Sequence, residues 1–289
     1  MSELDEPLQE SAPLAWRLAP QLCRRDPESG EDCSWYHGFW QLLRLMKLVT
    51  TPEADAAFLR DAFAAVQPRG SAARLLICGA ADYCVLAHAV ASFRGRGRSF
   101  HAAVVDSCRT PLHLNRWYAD RVSQDLDAHH GDILEHPADS GYDAVCAHSF
   151  LGHIPPERRE ALVAKWRRLL VPGGVAIVVN RIRPEFSGSL AAFSETQSRS
   201  FREAVSAAAA SLGGRVQIDP QELVRAAEVF ALRRRPWPAR TTAEIVALLE
   251  RGGFAIEGVS EAAVPIPGRG AENGPTGSSE RVRILARRK

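Results

Sequence analysis

The chain has 289 residues, of which 46% are hydrophobic and 24% charged, the composition of a globular protein. This length fits one large domain or a domain with a substantial insertion. A net charge of +2 gives no electrostatic case for nucleic acid binding, which usually requires a strongly basic face. No stretch approaches the length of a transmembrane helix, and the acidic first ten residues lack a signal-peptide core. We therefore expect no membrane contact and a cytoplasmic location.

The six cysteines fit this expectation. Cys23 and Cys33 could pair, but a reducing cytosol argues against a disulfide. The spacing of cysteines and histidines along the chain matches no zinc motif, so no metal site is predicted. The arginine runs 233–235 and 287–289 are interpreted as solvated surface.

Residues 1–70 are predicted to form a helical N-terminal part. Up to about residue 30 we expect an irregular arm with at most one short helix. Residues 33–49 predict a helix with an apolar face. Its first half carries four aromatic residues: Trp35, Tyr36, Phe39 and Trp40. Thr50 and Glu53 have the spacing of a capping box and predict the start of a further helix.

The apolar run 75–78 leads into a turn of small residues, 79–82, a helical pattern over 83–93, and a second apolar run, 101–105, ending on Asp106. Apolar runs bounded by turns indicate buried parallel strands, so this order predicts a βαβ unit. Its first turn lies at a helix N-terminus, where free backbone N–H groups and small residues let a ligand approach. Asp106 could accept hydrogen bonds from ribose hydroxyls.

The alternation continues to residue 183. It predicts a helix near 111–122, strands at 126–130 and 142–148, a helix opening at Pro155 and Pro156, and a strand over 175–180 after a turn at 172–174. Strands alternating with helices predict an open α/β sheet with right-handed crossovers. Residues 71–183 are therefore assigned to an α/β core that binds a ligand.

Residues 184–240 interrupt the pattern with two predicted helices, 190–212 and one that Asp219 and Pro220 cap and that reaches about residue 235. We interpret them as an insertion that caps one end of the sheet. Residues 241–289 contain a capped helix ending at Gly252-Gly253, then two closing strands, 254–259 and 282–286, joined by a loop at 265–278 expected to be mobile. The predicted fold is a doubly wound, mostly parallel seven-stranded sheet with helices on both faces.

Two ligand classes suit this fold. A dinucleotide requires G-x-G-x-x-G, and here only Gly79 is a glycine, with Ala81 and Cys84 at the other two positions. That argues against NAD.

The order of segments from 74 to 286 resembles instead the class I (Rossmann-like) family of S-adenosyl-L-methionine-dependent methyltransferases. The turn 79–82 looks like its glycine-rich first motif, and Asp106 like the acid that holds the cofactor ribose. Gly131-Asp132-Ile133 resembles the third motif, in which an acid meets the adenine amino group and its neighbour packs on the ring. Residues 142–145, 166–174 and 241–254 resemble the segments around strands four, five and six.

The sequence departs from the family at several positions. The usual acid before the first glycine is Ile77, and the second and third glycines are Ala81 and Tyr83. Asp82 could compensate by meeting the amino group of the cofactor. The N/D-P-P-Y/F signature of enzymes that methylate nucleic acid amino groups is absent after strand four, where His148 to Leu151 stand. This absence argues against DNA as the substrate.

The resemblance implies a set of cofactor-binding residues: Gly79, Ala80, Ala81, Asp82, Asp106, Ser107, Asp132, Ile133, His148, Ser149, Phe150 and Tyr36. His153, in the loop that borders the transferred methyl in this family, is the first candidate for a catalytic base, and His37 in a lid is the second. A capping role for His153, a wall role for His148 and plain packing of the aromatic cluster remain alternatives.

These features favour a methyltransferase that acts on a small molecule, for example a secondary metabolite. The apolar N-terminal part and insertion favour a largely apolar acceptor, while Asn180, Arg181 and Arg183 could bind a polar or anionic group. The alternative is a methyltransferase-like protein that binds the cofactor or a partner without methylating. Either a monomer or a homodimer is compatible with the sequence.

Overall fold

The computed structural model describes residues 4, 6–25, 30, 32–50, 52–137, 141–184, 186–212, 216–263 and 280–289. The strands in these ranges are β1 (Ala73–Cys78), β2 (Phe100–Asp106), β3 (Leu126–His130), β4 (Tyr142–His148), β5 (Leu170–Ile182), β6 (Phe254–Ala263) and β7 (Glu280–Arg288). The helices are α1 (Leu8–Leu22), α2 (Ser34–Leu45), α3 (Ala56–Ala64), α4 (Cys84–Arg94), α5 (Arg109–Arg121), α6 (Arg159–Leu169), α7 (Glu195–Leu212), α8 (Pro220–Arg233) and α9 (Thr242–Arg251).

The strands form one seven-stranded sheet in the order β3-β2-β1-β4-β5-β7-β6. The first five strands in sequence run parallel to one another, whereas β7 runs antiparallel to both β5 and β6. The predicted seven-stranded sheet is confirmed, and the orientation of β7 makes it a mixed sheet.

Both faces of the sheet are buried, because side chains alternate along each strand. Leu75 and Ile77 of β1 pack with α3, α4 and α5 on one face. Leu76 and Cys78 pack with α6 and α9 on the other face. The continuous apolar sequence of β1 is therefore a consequence of helices on both sides of the sheet, as predicted.

A third hydrophobic cluster lies outside the sheet and joins the two ends of the sequence. Ala12 of α1 and Phe39 of α2 are fully buried against Phe201 of α7 and Phe230 of α8. The N-terminal arm and the insertion, which the sequence presents as separate regions, thus share one core. The third helix, α3, does not join them and packs on α4 beneath the sheet.

Several local features differ from the predictions. The first thirty residues contain a helix of 15 residues, α1, with Pro13 and Pro20 inside it. Proline disfavours a helix interior, but the buried alanine face of α1 packs along α2, and tertiary packing decides helix formation more than propensity does. The predicted turn at 172–174 lies inside β5, where the register with β4 is irregular.

The helix caps give a mixed outcome. The Thr241 hydroxyl accepts a hydrogen bond from Glu244 N, and Asp219 accepts from Gln221 N, so both predicted caps are confirmed. Thr50 does not cap a helix: its hydroxyl accepts from Arg181, and α3 begins after a short 3-10 turn, Pro52–Asp55. The loop predicted at 265–278 lies outside the described residues. None of the helices in the described ranges is long and apolar enough to cross a membrane.

A buried ion pair ties α2 to the turn that follows β1. The Arg44 side chain is only 1% exposed, and its Nη1 lies 2.8 Å from Asp82 Oδ2. Its Nη2 lies 2.6 Å from Glu6 Oε1. A guanidinium buried to this degree requires its carboxylates, since uncompensated charge in the interior is strongly unfavourable.

We predict that Arg44→Met strongly destabilises the fold, because it leaves the Asp82 and Glu6 carboxylates buried without a partner. Breaking one side of a buried pair costs about 3–5 kcal/mol, measurable as a lower free energy of unfolding in urea. Arg60→Met is the matched control, since Arg60 and Asp61 are 49% and 69% exposed and such pairs contribute about 1 kcal/mol or less. Equal losses in the two variants would contradict the assigned role of Arg44.

Candidate functional site

A cavity of about 420 Å³ opens at the carboxyl ends of the parallel strands. Its floor is formed by residues at or just after the ends of β1, β2, β4 and β5: 79–82, 106–107, 148–150, 180, 181 and 183. Its roof comes from α2 and from the end of α8. In open α/β sheets this edge is where ligands bind, so the cavity is the candidate site.

The turn after β1 forms part of the floor of the cavity, and the Phe150 ring packs against it. Gly79 has a φ of +68°, and a Cβ placed on it would lie 2.2 Å from the ring of Phe150. Tyr83, which replaces a family glycine, turns away from the cavity. Its ring stacks on Tyr118 at 4.6 Å and its hydroxyl lies 2.9 Å from Ser11 Oγ. The large side chain therefore fills the core and does not occupy the ligand space.

Asp106 and Asp82 fix this turn by hydrogen bonds to backbone. Asp106 Oδ2 accepts from Ala80 N at 2.9 Å and Oδ1 from Cys108 N at 2.7 Å. Burial raises the pKa of the Asp106 carboxyl, against the opposing effect of the His37 charge and these two N–H donors. Asp82 accepts from Cys84 N in addition to pairing with Arg44. Each Asp106 oxygen keeps a lone pair that a ribose hydroxyl could use.

His148 forms part of the cavity wall, with its ring held by a charged network. Its Nε2 lies 2.9 Å from Asp55 Oδ2, and Asp55 also binds Arg281 and Arg283 of β7. Burial would raise the pKa of Asp55, but the His148 hydrogen bond and the arginine charges hold it well below its usual range. Burial lowers the pKa of His148. These contacts support the wall role that the sequence left open.

Ser149, immediately after β4, has a φ of +56°, which a residue other than glycine rarely adopts. Its N–H donates to Val179 O at 2.7 Å, so pairing with β5 holds this conformation. The following residue, Phe150, is thereby placed over Gly79. Ser107, Ala80 and Ala81 also line the cavity.

The roof is an aromatic cluster shared by α2, α8 and the loop after β4. The Tyr36 ring stacks on Trp40 at 5.5 Å and on Phe230 at 5.9 Å. It also meets the His153 ring edge-on at 5.8 Å. The aromatic residues of the N-terminal part thus pack against one another and also line the cavity.

His153 closes a short 3-10 turn, Leu151–His153, and faces the cavity. The protein around the cavity lowers the pKa of its imidazole to about 3, and the positive charges of Arg234 and His37 add to this effect. The His153 side chain is exposed to the cavity, and the lowered pKa means that its imidazole is neutral at pH 7. His37 also lines the cavity, although its Nδ1 lies 3.7 Å from Cys23 Sγ.

Asp132 and Ile133 are not among the residues that line this cavity. Asp132 accepts from Leu134 N and pairs with Arg158 at 2.8 Å, while Ile133 is buried in the core under β4. The reason is position, because β3 is the edge strand and the cavity extends from β1 towards β5. The structure therefore places Asp132 and Ile133 outside the cavity that the other predicted site residues line.

Arg234 and Arg281, which were not predicted to belong to the site, also line the cavity. The Arg234 Cζ atom lies 5.5 Å from the centre of the Tyr36 ring, and the Arg281 side chain reaches the cavity from β7. The run 233–235, interpreted as solvated surface, thus contributes to the wall. Burial lowers the pKa of Arg181 to about 9, and the charges of Arg281, Arg183 and Arg234 contribute. In the sequence, the run 233–235 was the only sign of this wall, and solvated surfaces contain such runs as well.

Residues 80–178 match the family model of a methyltransferase domain. A geranyl diphosphate methyltransferase in complex with S-adenosylmethionine superposes with a TM-score of 0.54 at 14% identity, over 91% of this chain and 93% of that chain. The 1,6-didemethyltoxoflavin-N1-methyltransferase of Burkholderia thailandensis gives 0.51 at 16% identity, over 100% and 93%. A putative sarcosine dimethylglycine methyltransferase from Galdieria sulphuraria gives 0.50 at 12% identity, over 97% and 98%.

No curated protein matches the chain by sequence. At these identities the structural likeness establishes the fold, and the domain match covers the segment that carries Asp106 and the residues after β4. Residues 80–178 thus carry a methyltransferase domain, and the chain has the fold of these methyltransferase structures.

Proposed function

We propose that the protein transfers the methyl group of S-adenosylmethionine to a small molecule with an apolar body and an anionic group. The observation that carries this proposal is the composition of the cavity. The cavity extends from Gly79 and Asp106, which resemble the cofactor-binding residues of methyltransferases, to a wall that combines stacked aromatic rings with arginines. An aromatic and cationic wall suits an acceptor that is partly flat or apolar and partly negative.

The residues at the floor of the cavity fit the cofactor. Asp106 offers carboxylate oxygens to ribose hydroxyls, and the backbone turn at Gly79 lies beside it at the floor of the cavity. When bound, S-adenosylmethionine supplies an electrophilic methyl group. The chain contributes orientation and exclusion of water around the nucleophile of the acceptor.

Arg181 is the residue we assign to the anionic group of the acceptor. Its Nη2 donates to Thr50 Oγ1 at 2.8 Å, and no carboxylate in the described part of the chain forms an ion pair with it. Burial and, after it, the charges of three neighbouring guanidinium groups disfavour its charge and lower its pKa. A bound carboxylate or phosphate would offset this repulsion and form charge-assisted hydrogen bonds.

His153 is the residue we assign to proton transfer. If the acceptor is a hydroxyl, its proton must leave before or during attack, and the neutral imidazole of His153 faces the cavity. If the acceptor is a neutral amine, positioning alone is sufficient. His37 remains the second candidate, although its Nδ1 faces a thiol.

The alternative function is a protein that binds the cofactor without methylating. The substituted first motif, with Ile77 and Ala81 in place of the usual acid and second glycine, favours it. Turnover with a panel of hydroxyl and amine acceptors that carry a carboxylate distinguishes the two functions. Cofactor binding without turnover on any member of the panel supports the alternative.

Asp106→Asn is expected to weaken binding of S-adenosylmethionine while the protein stays folded. Removing the charge from a hydrogen bond costs about 1.5–3 kcal/mol, or roughly a 10- to 100-fold higher Kd in calorimetry. Asp61→Asn, on the exposed face of α3, is the control and should bind as the wild type does. Wild-type affinity of Asp106→Asn would exclude a ribose contact by this residue.

Arg181→Gln should raise the KM for an acceptor that carries a carboxylate about 10- to 100-fold, with little change for its neutral methyl ester. The reason is loss of a charged donor that meets only the anionic form of the acceptor. Arg202→Gln, outside the cavity and paired with Glu228, serves as the control. A similar rise in KM for both acceptors would argue against an anion contact.

His153→Ala is expected to lower kcat about 100-fold or less, the low end for a general base, because a base with a lowered pKa is weak.

Since the imidazole must be neutral to accept a proton, activity is lost only as pH falls through that lowered pKa. Wild-type kcat should therefore stay level from about pH 6 to 8. His113→Ala, on the exposed face of α5, is the control. Unchanged kcat in His153→Ala would refute the assignment.

A further inference from the structure

Four potential metal ligands meet beside the cavity, although they are far apart in sequence. The ligand atoms of Cys23, Cys33, His37 and Cys108 all lie within 4.8 Å of one another. Cys23 follows α1, Cys33 and His37 flank the start of α2, and Cys108 precedes α5. The fold thus brings three separate chain segments to one point, which we call the thiol cluster.

The distances in the thiol cluster match those of a tetrahedral metal site. Zinc binds sulfur at about 2.3 Å and nitrogen at about 2.0–2.1 Å, so its ligand atoms lie roughly 3.5–3.8 Å apart. Cys33 Sγ and Cys108 Sγ are 3.6 Å apart, and Cys23 Sγ and His37 Nδ1 are 3.7 Å apart. The sulfur atoms are too far apart for a disulfide, whose bond is about 2.05 Å long.

The thiol cluster also has suitable chemistry. Its three thiols and one imidazole provide one sulfur or nitrogen donor atom each, and none of the three cysteines is in a disulfide. Thiolate and imidazole ligands select zinc over magnesium or calcium.

We propose that Cys23, Cys33, His37 and Cys108 form a Cys3His site that binds a structural zinc ion. All four tetrahedral positions are supplied by the protein, which is the arrangement of structural sites and leaves no open position for a substrate. His37 then serves as a ligand through Nδ1 rather than as a base. The sequence did not predict this site because 70 residues separate His37 from Cys108, a spacing that no local zinc motif has.

The zinc site would link the roof of the cavity to its floor. Cys108 lies two residues beyond Asp106, and its N–H donates to the Asp106 carboxylate. His37 is adjacent to Tyr36, the centre of the aromatic roof. A metal that binds both would fix the position of α2 relative to the cofactor acid. Loss of the metal is therefore expected to lower both stability and cofactor affinity.

The first test is the metal content of the full chain, purified under reducing conditions without added metal or chelator. Elemental mass spectrometry should find about one zinc ion per chain. After removal of zinc with a chelator, the melting temperature should fall, and added Co²⁺ should give the thiolate charge-transfer and d–d absorption bands of a tetrahedral site. These measurements use the wild type alone, so a variant that fails to fold does not affect them.

Two pairs of variants distinguish a ligand from a structural or catalytic residue. His37→Ala should lose zinc, whereas His37→Cys, which supplies a fourth thiolate, should retain it. Cys33→Ser should lose zinc, whereas Cys146→Ser, in the core strand β4, should retain it. A base role for His37 predicts no effect on metal content in either of its variants.

Three results would each overturn the proposal. The first is a wild type that holds no zinc and binds neither Zn²⁺ nor Co²⁺ in competition with a chelator. The second is a disulfide among Cys23, Cys33 and Cys108, found by mass spectrometry in the protein as purified, with no metal bound. The third is a zinc content in the His37→Ala and Cys33→Ser variants equal to that of the wild type.

Discussion

Charged groups buried at the carboxyl edge of the sheet need partners, and the partners come from outside the sheet. Asp82, after β1, is neutralised by Arg44 of α2. Arg281, on β7, is neutralised by Asp55, and Arg181, on β5, donates to Thr50. All three partners lie between residues 44 and 55. Because an unpaired buried charge costs several kcal/mol, this short segment has little freedom to leave the sheet.

The charge in the cavity is divided between its two ends. Asp106 lies beside the turn that suits the cofactor, while Arg181 and Arg234 lie at β5 and at the end of α8. A cationic sulfonium and an anionic acceptor would therefore meet complementary ends of one cavity. This division supports the proposed pair of ligands and would also disfavour binding of either ligand in the place of the other.

Local sequence predicted the central sheet well and the site only in part. Strands β3 and β4 begin and end at the predicted residues: β4 is an apolar run, and Gly131 follows the last residue of β3. Asp219 and Thr241 were predictable as caps, since capping depends on neighbouring backbone N–H groups. The position of Asp106 at the end of β2 was predictable from the apolar run before it.

Features that depend on distant partners were not predictable in this way. Whether Arg234 is solvated or lines a cavity depends on where α8 packs, and the thiol cluster depends on α1, α2 and α5 meeting. Asp132 was expected at the site from the resemblance, but its side chain pairs with Arg158. Long-range packing, rather than residue type, decided each of these outcomes.

The hydrophobic cluster shared by α1, α2, α7 and α8 has a consequence for the order of folding. Ala12 and Phe39 leave the ribosome early, but Phe201 and Phe230, which cover them, are made more than 160 residues later. Until then the apolar face of α2 has no complete core, and contacts of such sequence separation form slowly. The nascent chain therefore exposes an aromatic surface through most of its synthesis, and during that interval it is a natural target for chaperones.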